Sequence, residues 1–176
     1  MIADLFKSKR LILASASPRR SELLAHLGIP FEVWKRDYSE VTAITDDPVK
    51  AAIALASNKA DQVEHLLTPG DIVITADTVV WCSKRLLNKP SDRDDAVSML
   101  SMLSGQRHSV ITGVCLFSDI SRVTFFSETF VKFKTLSTEE IAHYVDNYKP
   151  YDKAGAYGIQ EWIGFIGGGR NKRLIF

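Results

Sequence analysis

This 176-residue sequence lacks the marks of several broad classes. It has only two cysteines, Cys82 and Cys115, far apart and each within an apolar, strand-like run. That excludes a disulfide framework or a cysteine-based zinc site and leaves two buried free thiols. The four histidines, His26, His65, His108 and His143, show no metal-ligand spacing, and none is expected to act as a ligand. Lysine and arginine number 22 against 21 aspartates and glutamates, a formal charge of +1. No broad basic surface is therefore available for nucleic acid, and any anion site must be local. No apolar run approaches a membrane span, and the first ten residues lack the order of a signal peptide, so a cytoplasmic protein without a membrane partner is expected. What is present is 45% hydrophobic content, enough at this length for a substantial core in one large domain or two small lobes.

The chain is organised around its opening stretch. Leu11 to Ala14 reads as a short buried strand that stops in a serine-rich turn. Ser17 stands where an N-cap belongs and Pro18 at the first helical position, after which Leu23, Leu24 and Leu27 recur on one face until Gly28. Arg19 and Arg20 are out of place in that first turn. They oppose the positive end of the helix dipole, at roughly 0.3–1 kcal/mol each. An anion would relieve this, and the Ser15 and Ser17 hydroxyls, the helix N–H groups and the two guanidinium groups together suit phosphate. The alternative is a solvated turn whose arginines pair with surface acids.

Further along, Ile29 to Trp34 reads as a strand and Arg36 to Glu40 as a polar loop. Asp47-Pro48 opens a helix with Val49, Ala52, Ile53, Ala56, Ala60, Val63 and Leu67 on one stripe and Lys59 at its border, until Thr68-Pro69-Gly70 stops it. Asp71 to Val80 is the most strand-like segment, continued by Trp81 and Cys82. Asp77 interrupts it. A carboxylate there needs a partner or a metal, or caps a neighbouring backbone group; both readings stand. Ser83 to Arg85 should turn the chain into a short arm, Leu86 to Pro90, in which Pro90 holds Lys89 extended. A helix with Ala96, Met99, Leu100 and Leu103 inward ends at Gly105, and His108–Phe117 with Arg122–Phe133 forms a hairpin. Ser137-Thr138-Glu139-Glu140 is a capping box for a helix that closes at Lys149-Pro150. Tyr151 to Gln160, glycine-bearing and aromatic, is too irregular for a helix and suits close backbone approach to a ligand.

Ser15-Ala-Ser-Pro-Arg-Arg-Ser-Glu-Leu-Leu24 closely resembles the opening motif of the Maf (septum formation inhibitor-like) proteins, which are nucleoside triphosphate pyrophosphatases. Ala76-Asp77-Thr78-Val79-Val80, Asn88-Lys89-Pro90, Ser104-Gly105-Gln106 with Thr112-Gly113-Val114, and Asp152 to Gln160 resemble later family segments, in family order. The family usually has glycine where Asn88 stands, so Asn88 tests whether a positive φ is required there. Residues 1–176 are read as a single Maf-like domain whose resemblance holds to about Gly164. Residues 165–176 depart from it, as a truncation or a frame change would produce. The resemblance implies an α/β fold like that of inosine triphosphatase: a mixed twisted sheet with flanking helices, in two lobes around a central cleft. The alternation of strands and helices agrees with this.

The resemblance also implies a site. It puts Glu40 in the active-site cleft, Lys59 near the substrate phosphates and Asp77 at the position usually assigned as proton acceptor. Arg19, with Arg20, Lys59, Lys89 and Ser15, would hold the triphosphate. Glu40 and Asp77 offer hard oxygens for Mg²⁺ or Mn²⁺, and sequence leaves open whether Asp77 is base or ligand. Arg19, Thr78 and Gln160 would govern base choice, since a glutamine amide fits the N3–H and carbonyl of uracil or thymine. Residues at these places resemble the dTTP/UTP pyrophosphatase branch; the alternatives are 7-methyl-GTP hydrolysis, or a non-catalytic nucleotide-binding regulator of septum formation. The expected partner is a nucleoside triphosphate, with a homodimer as the assembly the reading allows.

Overall fold

The apolar run that opens the chain becomes its first strand. In the computed structural model, which describes residues 9–36, 38 and 45–167, Leu11, Ile12, Leu13 and Ala14 are all buried, and β1 spans Arg10–Leu13. There follow α1 (Pro18–Ala25), β2 (Glu32–Val33), α2 (Pro48–Glu64), β3 (Asp71–Cys82), β4 (Arg85–Leu87), α3 (Arg93–Leu103), β5 (Arg107–Phe117), β6 (Arg122–Lys132), α4 (Thr138–Tyr148), a 3-10 turn at Ala154–Ala156 and α5 (Trp162–Gly167). The described strands form one sheet in the order β2-β1-β3-β5-β6, with β4 paired to β3. β1 runs parallel to β2 and β3, so that Leu13 is level with both Val33 and Ile74, and β4 is antiparallel to β3. This is the mixed α/β sheet with helices that the sequence predicts.

The fold divides into two units, one built from Met1–Thr45, Val49–Asp77 and Thr112–Phe126, the other from Asp46–Pro48, Thr78–Ile111 and Ser127–Phe176. The core of the first joins Ile12, Ala14, Ala56, Ala60, Val63, Val73, Cys115 and Phe117. The buried stripe of α2 is mostly alanine, which lets its backbone approach the sheet closely. That explains Gly113: a Cβ there would stand 2.3 Å from the carbonyl carbon and oxygen of Ala52. At the start of β3 the guanidinium of Arg10 donates two hydrogen bonds of 2.8 Å to Asp71, and the Thr68 N–H and hydroxyl add bonds of 2.9 and 3.0 Å. Arg10 above all, against the opposing effect of burial, holds the Asp71 carboxyl down to about 2.

The second unit packs Val80, Cys82 and Leu87 against Ala96, Leu100 and Leu103 of α3 and Ile141, Tyr144 and Val145 of α4. Truncating a residue as enclosed as Leu100 to alanine would cost about 2–5 kcal/mol. Both helices are capped at their N-termini, α4 by the capping box that its sequence predicts. Asp92 accepts from the Asp95 N–H at 2.9 Å, and Ser137 with Glu140 forms the full capping box. Lys149 closes α4 in the left-handed region at φ 44°. Ser83 and Lys84, at φ 49° and 62°, make the two-residue turn between β3 and β4. Asn88 is not among the positive-φ residues, so the conformation that glycine would favour is not needed there. Cys82 and Cys115 are buried free thiols, as expected.

Candidate active site

In the first unit the parallel register of β1 and β3 sets the site. Ile12 pairs with Val73 and Leu13 with Ile74, and the Ala14 N–H continues the ladder to the Ile74 carbonyl at 2.9 Å. Ser15 therefore leaves the sheet close to Asp77. Its buried hydroxyl accepts from the Ser17 N–H at 3.2 Å and from the Arg20 guanidinium at 3.2 Å. Ser17 occupies the N-cap position but makes no side-chain cap bond. Ser15, two residues earlier, satisfies a turn N–H instead, a departure from the expected capping.

Lys59 reaches the same place from α2. Thr75 and Asp77, two residues apart, share one face of β3. The Thr75 hydroxyl donates to the Ala56 carbonyl at 2.7 Å, pinning the helix one turn before Lys59. The Lys59 ammonium then lies 2.9 Å from Asp77 Oδ2, and the Arg20 guanidinium 3.9 Å from Oδ1. The side chains of Lys59, Asp77 and Arg20 are 21%, 22% and 23% exposed, so the group is partly desolvated yet open to a ligand. Burial pushes the Arg20 guanidinium below its ordinary range; Asp77 opposes this and the Arg19 charge adds to it. Arg20 and Lys59 both face the Asp77 carboxylate, and the Arg19 charge acts on the same group.

Tyr38 belongs to this group, although its sequence gives no signal beyond its place in the polar loop. Its hydroxyl donates to the Ala14 carbonyl at 3.0 Å, and its ring lies 5.7 Å from the Lys59 ammonium. Burial raises its pKa, with Arg36 acting in the opposite sense, so it keeps the proton it donates. Arg19 is exposed on α1. Glu40 lies outside the described residues, as do residues 168–176. Among the described residues no set of three or more His, Cys, Asp or Glu side chains is placed to hold a metal. Asp77 is a hard oxygen donor beside the Lys59 and Arg20 cations, and in kind it fits Mg²⁺ or Mn²⁺.

The second unit carries the other predicted residues. Thr78 is half-buried, and Lys89 and Gln160 are exposed. The arm bearing Lys89 is tied to the loop that leads to Gln160 by a 3.1 Å bond from the Gly155 N–H to the Asn88 carbonyl. Only glycine suits position 155, where φ is 67° and a Cβ would lie 2.9 Å from the Val80 side chain. Asp152 and Lys153 pair at 2.8 Å, and Lys153 also meets Glu161 at 3.2 Å. No described helix is long and apolar enough to cross a membrane.

Comparison with known proteins gives these arrangements a lineage. Residues 10–168 match the family described as Maf-like protein, an end close to Gly164. The proteins of Phocaeicola vulgatus and Bacteroides thetaiotaomicron called dTTP/UTP pyrophosphatase are 48% and 45% identical to this chain, over 95% of it and 86% of each of them. Among solved structures, the Ham1 protein of Staphylococcus aureus superposes with a TM-score of 0.50 over 71% of this chain and 72% of that one, at 10% identity, a likeness of fold alone. On the strength of a match spanning nearly the whole chain, this protein belongs to the Maf family.

Proposed function

We propose that the protein is a nucleoside triphosphate pyrophosphatase that converts dTTP and UTP to the monophosphate and pyrophosphate in the cytoplasm. The observation that carries this reading is the cluster of Ser15, Arg20, Lys59 and Asp77 in one unit, in a chain whose relatives at 41–48% identity are called dTTP/UTP pyrophosphatases.

In this reading Arg20 and Lys59, with Arg19 and Lys89, bind the triphosphate oxygens, and the Ser15 hydroxyl orients the Arg20 fork. Asp77 takes a proton from the attacking water as its oxygen bonds to the α-phosphorus. The bond from that phosphorus to the bridging oxygen breaks, and the electron pair leaves with pyrophosphate, whose charge the same cations neutralise. Mg²⁺ or Mn²⁺, held by Asp77 and Glu40, would supply further neutralisation of the phosphate charge. Gln160, with Thr78 and Arg19, selects the base: its amide presents an acceptor and a donor to the N3–H and carbonyl of thymine or uracil.

The test is pyrophosphate release from a panel of triphosphates with and without Mg²⁺. dTTP and UTP should exceed dGTP and 7-methyl-GTP, and Asp77→Ala should abolish release. Purines ahead of pyrimidines would overturn the substrate assignment, and unaltered release from Asp77→Ala would overturn the mechanism.

A further inference from the structure

Gln160 is exposed and its neighbour Ile159 is 40% exposed, so neither side chain is anchored in a core. An amide that selects a base must nevertheless be held to within a fraction of an ångström, and that precision has to come from flanking residues. Two buried hydroxyls supply it, both within the second unit. On the N-terminal side Tyr157 is 7% exposed and its hydroxyl lies 2.7 Å from Nε2 of His108, itself 2% exposed. Phe133 completes a cluster of three rings packed edge to face, with centroids 4.9–5.5 Å apart. One residue on, the buried Gly158 N–H donates to the Tyr144 hydroxyl at 3.0 Å. That hydroxyl donates in turn to the carboxylate of Glu161, the residue after Gln160.

We propose that His108 and Tyr144 are positioning residues for base selection: through Tyr157 on one side, and through Gly158 and Glu161 on both, they fix the segment that carries Gln160. The inference rests on the reading of Gln160 as a base contact. Phenylalanine would fill either core site as well as tyrosine. The hydroxyls instead add directional bonds in a medium where a lost partner is costly, which selects one arrangement of the segment. His108 suits its part because it stays neutral: burial lowers its pKa to about 4, against a small opposing effect of the Gln106 carbonyl. The bond to the Tyr157 hydroxyl forms in either neutral tautomer, Nε2 accepting when the proton is on Nδ1 and donating when it is on Nε2. Nδ1 makes no hydrogen bond of good geometry, so Nε2 is the nitrogen that carries the anchor.

Tyr157→Phe, Tyr144→Phe and Gln160→Ala test this, each assayed with dTTP and dGTP beside thermal melting. The Tyr variants should raise KM for dTTP about tenfold with a smaller change in kcat, and lower the dTTP-to-dGTP ratio of kcat/KM about tenfold, in the direction of Gln160→Ala. His108→Phe should reproduce Tyr157→Phe, and His108→Gln, which keeps an acceptor, should restore most of the ratio. If the Tyr variants lose melting temperature while the ratio stays at the wild-type value and Gln160→Ala shifts it, the anchoring role is overturned and the base reading survives. If Gln160→Ala leaves the ratio unchanged, the base reading fails and the anchor falls with it.

Discussion

In the first unit Lys59, Asp77 and Arg20 stand about one-fifth exposed with their charges facing one another, whereas in the second His108 and Tyr157 are buried, neutral and hydrogen-bonded to each other, and the buried Tyr144 hydroxyl joins the Gly158 N–H to the Glu161 carboxylate. The first arrangement suits chemistry. Its ion pairs are partly hydrated and can be exchanged for contacts to an incoming phosphate at modest cost. The second suits placement, because a buried neutral bond has no water to replace it and holds one geometry. The two groups should therefore fail differently: the charged group in rate, the neutral group in selectivity and stability.

The largest expected effect is on the charged side. Asp77→Asn keeps the shape and removes the base, and kcat should fall about a thousandfold, with the dTTP-to-dGTP ratio unchanged in steady-state kinetics. A shift in that ratio would blur the separation between rate and selectivity.

Next comes a stability effect on the neutral side. His108 titrates near 4 when folded against 6.5 when exposed, so between those values the unfolded chain binds a proton that the folded chain does not. Stability should be full above about pH 6.5 and decline by roughly 3 kcal/mol as pH falls to 4. Asp71, Asp92 and Asp146, held below their ordinary 3.8, and Glu139 and Glu140, held below 4.5, lose their contributions mainly below pH 5, so the difference between pH 7 and pH 5 belongs largely to His108. Urea melts at pH 7 and pH 5 should differ for the wild type and converge in His108→Gln.

Lys59→Ala should reduce kcat/KM for dTTP about a hundredfold, as loss of one charge-stabilising donor does. The smallest effect sharpens the comparison within α1. Arg20 touches Ser15 and Asp77 while Arg19 is exposed, so Arg20→Ala should raise KM for dTTP about tenfold more than Arg19→Ala. Equal effects would mean that the two guanidinium groups grip the phosphates equally.

The charged half was readable because its residues break local rules. Two arginines at a helix start and an aspartate within a β-branched strand invite opposite charges, while Lys59, an ordinary border lysine by pattern, was placed near them by family resemblance; Arg20, Lys59 and Asp77 do meet. Elements with strong punctuation were equally legible: β3 continues through Trp81 and Cys82 to the Ser83-Lys84 turn, and α4 begins at its capping box. The neutral half was not. A lone histidine at a strand start, a tyrosine on the inward face of a helix and another in an irregular loop give no sign of pairing, and by burial they are core; their partners are 49 and 14 residues away, a distance no local pattern encodes. Tyr38 was missed for the same reason, its partner Ala14 being 24 residues away. In the turn before α1, Ser17 holds the N-cap position as its sequence predicts, but its side chain makes no cap bond, and the Ser15 hydroxyl accepts from the Ser17 N–H. Glu40, singled out by family resemblance, lies outside the described residues.

In the proposed reaction Asp77 directs water to the α-phosphorus. Hydrolysis of dTTP in ¹⁸O-labelled water, with products separated and weighed, tests it most directly. The prediction is label in dTMP and none in pyrophosphate for the wild type, with both products nearly absent for Asp77→Asn. Label in pyrophosphate or free phosphate, or wild-type turnover by Asp77→Asn, would contradict it.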